Sequence, residues 1–536
     1  MSFLSLTFAG FILITLLIYY LFPRKDCQWT VLLAASYVFY LWADARYVIY
    51  ILITTVSIFF AARKIQQINL DAKAAVKANK AIWSRDERAA YKNAQQRRAR
   101  RFLVLTLVLN FGILFFLKYF NFLSALLGNL TGHITPTLRL LLPLGISFYT
   151  FQSMSYVIDV YRGETRAEEN LVRLALFVSF FPQILQGPIS KYDQLAPQLY
   201  APRRADFTHI KYGLELMLWG YFKKLVIAER AVLAIRSLVA TPTDYNGTAM
   251  IIAVLLYALQ LYADFSAGID IIRGVAQMLG VDMIQNFRQP YFATSLADYW
   301  NRWHISLGAW MKNYVFYPLA LSKPAVNFTK TVKASRFGRS RLGAYIAVVF
   351  PGAVASLIIF LLVGIWHGAG GRYIVYGLYN GGIIMFSTLF KPCFERVNQL
   401  LHINVKSFLH RLFQMLRTFL LVCIGNVTDL IGRAGDFLPW LRKMTTDHNL
   451  GQAKLQMDNG FCLGNADYAL LFFCTLLMLA VGAYHEKHPD VSLRATLEKE
   501  GALTQWLLIV FGVLAILIFG NYGPGYNAAD FVYVQF

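Results

Sequence analysis

Cysteine is scarce in this 536-residue chain: there are five, at positions 27, 393, 423, 462 and 474, an odd number with no Cys-x-x-Cys pair. Neither a disulfide framework nor a zinc site is indicated. Acidic residues are also few, 29 against 51 lysines and arginines, which leaves a formal charge of +22. The basic residues stand mostly between apolar runs and form no interleaved basic-aromatic stripe, so positive-inside membrane topology accounts for them and a nucleic-acid partner is not expected. Gly-x-Ser-x-Gly is missing, which argues against a serine-bound acyl intermediate on a nucleophile elbow. No internal repeat suggests the inverted halves common in transporters. The first apolar run has no basic stretch ahead of it and no small-residue cleavage site behind it, and reads as an uncleaved helix.

Apolar text dominates what remains. The chain is 57% hydrophobic and 15% aromatic, with a mean hydropathy of +0.47. Runs such as Phe3 to Phe22, Val104 to Leu117, Met250 to Leu261, Leu342 to Trp366, Tyr468 to Ala483 and Trp506 to Phe519 are of spanning or near-spanning length. An all-α polytopic membrane protein is predicted, one domain over residues 1–536, with roughly eleven crossings, some irregular. Two basic stretches, 63–101 and 322–341, are expected in the cytoplasm, as is Pro23-Arg24-Lys25. The parity of the runs between them then puts the N-terminus outside the plasma or inner membrane. Rich in Ala, Lys, Arg and Gln, 63–101 reads as a solvated helical loop or as a surface for anionic lipid head groups or an acidic partner.

Among nine histidines, only His304 in Tyr-Trp-Asn-Arg-Trp-His-Ile-Ser-Leu and His367 in Leu-Val-Gly-Ile-Trp-His-Gly-Ala-Gly-Gly lie inside aromatic and apolar frames. An ionisable ring at bilayer depth is costly and tends to persist where it faces a cavity. Either ring alone reads as well as a buried structural histidine; the pair, each preceded by Trp, points to a shared site. The segment Asn286 to Pro318 is too polar for a lipid-facing span and is read as re-entrant or interfacial helices. On a continuous helix Trp303, Leu307, Trp310 and Tyr314 would share one face and His304, Gly308 and Met311 another, with Gly308 leaving room beside the ring for substrate. Basic residues flank the His367 segment on both sides, which predicts a hairpin with its apex at Trp366 to Arg372. Pro351-Gly352 is a candidate kink.

A neutral imidazole can take the proton of a hydroxyl as that hydroxyl attacks an activated acyl group. His367 is the better base candidate, because its flanking glycines permit close approach. His304 would orient substrate or stabilise the oxyanion, with Asn301 or Arg302 nearby. Trp303 and Trp366 are candidate substrate-positioning neighbours, and no metal is expected. In Leu261 to Arg273, Asp270 and Arg273 can pair on one helix face, while Asp264 either belongs to such structural pairing or positions the acceptor. A transporter is the reading from another class, with Asp264 and Asp270 as coupling-ion sites. His485-Glu-Lys-His-Pro-Asp490 matches a His-x4-Asp acyltransferase spacing but sits in a charged tail, and is read as a chance match. Broken, Pro- and Gly-punctuated text at Pro143 to Arg162 and Phe180 to Ile189 is expected to line an internal cavity.

Together these stretches, with Gly220 to Arg230, Tyr262 to Gly280 and the ending Asp530-Phe-Val-Tyr-Val-Gln-Phe536, resemble the membrane-bound O-acyltransferase family. The nearest branch holds the alginate O-acetylation membrane protein and the D-alanyl transferase for teichoic acids. The resemblance covers most of the chain in the expected order. It implies a helical ring around a thinned centre, His367 as the catalytic histidine and His304 as the second active-site histidine. It also implies an acyl donor arriving from the cytoplasm as a substrate, such as acetyl-coenzyme A or an acyl carrier protein, and a hydroxyl acceptor outside, on an envelope polymer or a transfer protein. Ala320-Leu321 stands where the family usually has Gly-Gly, and the basic loop that follows is longer. That loop is a candidate docking surface for an acidic carrier or nucleotide-bearing donor. The alternative within the family is D-alanyl transfer toward teichoic acid.

Overall fold

The computed structural model describes residues 3–133, 136–138, 140, 142–184, 186–523, 526 and 531; of the Asp530–Phe536 ending, only Phe531 lies among them. Helices are the regular secondary structure of the described residues, which carry besides them an isolated bridge between Phe287 and Trp303. Seven helices are long and apolar enough to cross a membrane, or eight if the bent pair Gly371–Leu389 and Lys391–Leu400 counts as one span. The expected eleven would have to include shorter helices, of which Leu6–Leu21 is one. The protein is thus a multi-pass membrane protein.

Two compact units emerge, residues 1–217 with 271–284, and residues 218–270 with 285–536. In the first, the basic stretch around 63–101 is built from two helices. Val48–Ala78 carries the apolar run straight into the charged text, and Arg85–Thr131 begins at a capping box in which Ser84 and Glu87 satisfy each other's backbone N–H groups. A run of Ala, Lys, Arg and Gln favours helix without needing burial. Helix Ile146–Arg162 forms the interior of this unit, with 14 of its 17 residues buried. Gln152 on this helix is tied to the neighbouring stretch: its Nε2 donates to the Phe177 carbonyl at 2.8 Å, and its Oε1 accepts from Gln183 Nε2. Lys191 lies 3.6 Å from Asp159. The Pro143 and Phe180 stretches are therefore joined to each other by hydrogen bonds, as buried amides require.

In the second unit the dominant feature is a hairpin of helices Arg341–His367 and Gly371–Leu389. Ser340 caps the first, accepting from the Gly343 N–H at 3.0 Å, and the helix continues through Pro351 without ending. A Cβ at Gly364 would stand 2.2 Å from the Tyr373 carbonyl oxygen, and one at Gly377 2.6 Å from that of Phe360. The two backbones touch, which is the packing that small residues allow between helices in lipid. The predicted apex is a turn through Gly368–Gly370, with His367 the last helical residue. The basic loop 322–341 folds as helix Lys323–Ala334 and a short turn, held to the hairpin by Thr329 Oγ1 donating to the Ala347 carbonyl at 2.9 Å. Lys323, Lys330, Lys333, Arg336, Arg339 and Arg341 are all exposed.

Candidate active site

All residues of the candidate site belong to the second unit. The segment leading to His304 is a broken helix. Ser295 caps Leu296–Arg302; Trp303 is then extended, His304 adopts φ +47° and ψ +54°, and a new helix runs over Ile305–Met311. A left-handed conformation is rare for a non-glycine residue and persists where its surroundings hold it. Asn286 supplies that hold. Its carbonyl accepts from the Ile305 N–H at 3.0 Å, and its Oδ1 accepts from the Ser306 N–H at 2.9 Å and lies 3.4 Å from His304 Nδ1. The pair Arg288 N–H to Arg302 carbonyl, 2.9 Å, closes the clamp on the other side.

This break corrects the continuous-helix expectation. Trp303 and Trp310 do not follow one another on one helix face, and Gly308 is exposed, its amide closing onto the His304 carbonyl at 3.1 Å. His304 itself is 2% exposed, edge-on to Phe265 with ring centroids 5.0 Å apart. Burial, and then the nearby His367 ring, lower its pKa from the usual histidine value to about 3, so the ring is neutral near pH 7. Replacing Asn286 with alanine is expected to release the left-handed turn. Acyl transfer should fall by at least tenfold with the protein still inserted, and unchanged transfer would show that the turn holds itself.

His367 comes from the hairpin apex and is 8% exposed. Trp366 joins the two histidines, with its ring 6.4 Å from His304 and 5.1 Å from His367, centroid to centroid. Tyr376 lies 5.2 Å from His367 on the other side. The short helix before His304 docks on the same hairpin through Trp300, whose Nε1 donates to Asn380 Oδ1 at 3.2 Å. His367 opens on a cavity of about 20 Å³, whose wall includes Tyr257, Trp303, Tyr376, Asn380, Asn426 and Asp429. That is space for about one water molecule. Tyr257 donates its hydroxyl to Asp429 Oδ2 at 3.1 Å, and Arg372, just past the apex, donates to the Ile431 carbonyl at 2.8 Å. Among the described residues, no cluster of three or more His, Cys, Asp or Glu is placed to hold a metal ion.

Of the sequence-selected residues, His304, His367, Trp303 and Trp366 gather here. Asn301 is exposed, and neither it nor Arg302 is part of the cavity wall. Arg302 instead reaches Asp298 at 2.8 Å and Glu486 at 2.7 Å. The same Glu486 belongs to the His485–Asp490 decoy and also takes Arg411 at 3.0 Å. Asp264 and Asp270 serve ion pairs. Lys224 sits 2.6 Å from Asp264 and 2.7 Å from Glu229, and Lys223 sits 2.7 Å from Asp270 and 2.8 Å from Ser266 Oγ. Arg273 donates to the Met283 carbonyl at 3.3 Å. Sequence reasoning missed Asn286, Tyr257, Asn380, Asn426 and Asp429. The last two end the spanning helix Phe408–Leu430, and the argument applied to the histidines, a polar group in membrane-grade text, would have found them.

The fold and site define a multi-pass helical membrane protein in which two buried histidines meet across one indole ring, one of them opening on a small cavity. Residues 166–332 match the model of the membrane-bound O-acyltransferase family. The chain is 30% identical over 421 residues to the probable alginate O-acetylase of Pseudomonas syringae pv. tomato, covering 78% of this chain and 70% of that protein. It is 30% identical over 387 residues to the peptidoglycan O-acetyltransferase of Helicobacter pylori, covering 67% and 63%, and 26% identical over 258 residues to the teichoic acid D-alanyltransferase of Bacillus subtilis, covering 48% and 61%. The chain thus spans about two-thirds of the length of these relatives. It belongs to the membrane-bound O-acyltransferase family.

Proposed function

We propose that the chain moves an acyl group, acetyl in the first instance, from an activated cytoplasmic donor to a hydroxyl of an extracytoplasmic envelope polysaccharide, or of a relay protein that completes the transfer. The observation that carries this reading is His367, buried at a glycine-rich apex, opening on a small cavity whose wall includes Asn380, Asn426 and Asp429, and linked to His304 through one indole ring. In this reading His367 is the general base. His304, neutral by burial, orients the reacting groups, while Trp303 and Trp366 shape the passage. Arg302 and Asp264 act only by holding structure. The donor, acetyl-coenzyme A or a carrier protein, is a substrate and not a resident cofactor.

Two relatives named for O-acetylation match at 30% identity over longer stretches than those named for D-alanylation at 26% and 25%, which favours acetyl over D-alanyl. The exposed cations of 322–341 suit the cytoplasmic face and an acidic or nucleotide-bearing donor. With 63–101 on the same side, the N-terminus lies outside the plasma or inner membrane, and the basic helices rest near lipid head groups. The test is the base-labile ester content of the cell envelope with and without the chain. Acetate released only when the chain is present supports the proposal, and alanine would redirect it to D-alanyl transfer. Unchanged ester content with altered uptake of a solute would point to a transporter instead.

A further inference from the structure

Resting on the reading of His367 as base, we infer that Asn426 is a catalytic residue whose side-chain amide donates to the oxyanion formed at the reacting carbonyl. Asn426 sits four residues from the end of helix Phe408–Leu430, is 5% exposed, and belongs to the wall of the His367 cavity. Its Nδ2 is buried with no hydrogen-bond partner among the described residues. Its neighbours on that wall are provided for. Asn380 accepts from Trp300 Nε1 and donates to the Tyr376 carbonyl at 3.0 Å, and Asp429 accepts from Tyr257. A buried donor left unmatched beside a base is an arrangement that folding disfavours and an oxyanion site requires, because the acceptor arrives only with the reaction. The sequence candidate to orient substrate or stabilise the oxyanion is His304, with Asn301 or Arg302 nearby; Asn301 is exposed, and none of the three belongs to the cavity wall.

The step is complete in its atoms. The acceptor hydroxyl oxygen bonds to the acyl carbon of a thioester donor and its proton passes to the His367 ring. The carbonyl electron pair moves onto oxygen, where the Asn426 N–H meets it. Collapse restores the carbonyl, breaks the carbon–sulfur bond, and the departing thiolate takes the proton back from the imidazolium.

The experiment compares the full-length chain with Asn426→Leu, Asn426→Ala and, in parallel, His367→Gln in cells. It measures the initial rate of base-labile ester formation per amount of membrane-inserted protein, and the thermal midpoint of each purified protein in detergent. The expected result for Asn426→Leu and Asn426→Ala is a loss of about 10²-fold in rate. For Asn426→Leu the midpoint should not fall, because an unmatched buried amide has been replaced by an apolar group of similar size. Rates within a few-fold of the parent overturn the inference, and so does a rate loss that tracks a fall in midpoint in both variants, which marks a structural amide. If His367→Gln keeps its rate while the Asn426 variants lose theirs, the base assignment fails and the oxyanion donor stands. If the parent forms no more ester than cells lacking it, both fail.

Discussion

Replacing His367 with alanine should reduce acyl transfer by roughly 10²- to 10⁴-fold, the usual contribution of a positioned general base. The protein should still reach the membrane. Its ring makes aromatic contacts with Trp366, Tyr373 and Tyr376, but the hairpin that carries it is held along its length by backbone-to-backbone approach at Gly364 and Gly377. Insertion and chemistry therefore separate in this variant. Ester formation per inserted molecule is the measurement, and transfer retained within a few-fold would place the base elsewhere. His304→Ala is the natural companion. Because that ring sits in a strained left-handed turn fixed by Asn286, its removal should cost both rate and local order, where His367→Ala should cost rate alone.

The largest effect on stability is expected at Lys224. Its side chain is fully buried between Asp264 and Glu229, both equally buried, and its Nζ lies 4.4 Å from the centre of the Phe531 ring. Tyr526 adds its hydroxyl to Glu229 Oε2 at 2.7 Å. Lys224→Met keeps the length of the chain and removes a positive charge that offsets two carboxylates within 3 Å of it. Breaking a buried ion pair from one side costs about 3–5 kcal/mol, because the partner's charge is left uncompensated. The thermal midpoint in detergent should drop by many degrees, and adding Asp264→Asn should recover part of the loss. Lys223→Met should cost less, since the Asp270 side chain is 17% exposed and water can share its charge. A Lys224→Met midpoint equal to that of the parent would mean that the network contributes nothing net.

Hydropathy made the membrane helices legible, and flanking charge made the His367 hairpin legible, because both signals are local: a span needs a run of apolar residues and a hairpin needs two runs with a breaker between them. The convergence of the two histidines was legible for a similar reason, since each stood out alone against apolar text. The break at His304 was not. Arg302, Trp303 and His304 have ordinary helical surroundings in sequence, and what ends the helix is Asn286, whose carbonyl and side chain take the amides of Ile305 and Ser306. Asn301 and Arg302, chosen by proximity along a helix, lie before the interruption and outside the cavity wall for the same reason. The partners of Asp264 and Asp270 escaped because Lys223 and Lys224, some 40 residues away, project from the π-helical turn Phe222–Ala228, and cross-chain pairing leaves no periodic trace.

The glycine-lined hairpin has a consequence for how the enzyme comes into being. Its two helices are neighbours in sequence, so their contact closes a short loop and should form early, as soon as both have left the translocation machinery. The helix carrying Asn426 and Asp429 emerges later. Every nascent molecule therefore passes through a stage in which the histidine at the hairpin tip is in place while the amide and carboxylate facing it have yet to be synthesised. On the proposed roles of His367 and Asn426, an incompletely made chain would hold its proton acceptor without the means to stabilise charge on a substrate, and would be inert toward activated acyl donors until the helix Phe408–Leu430 is in the bilayer.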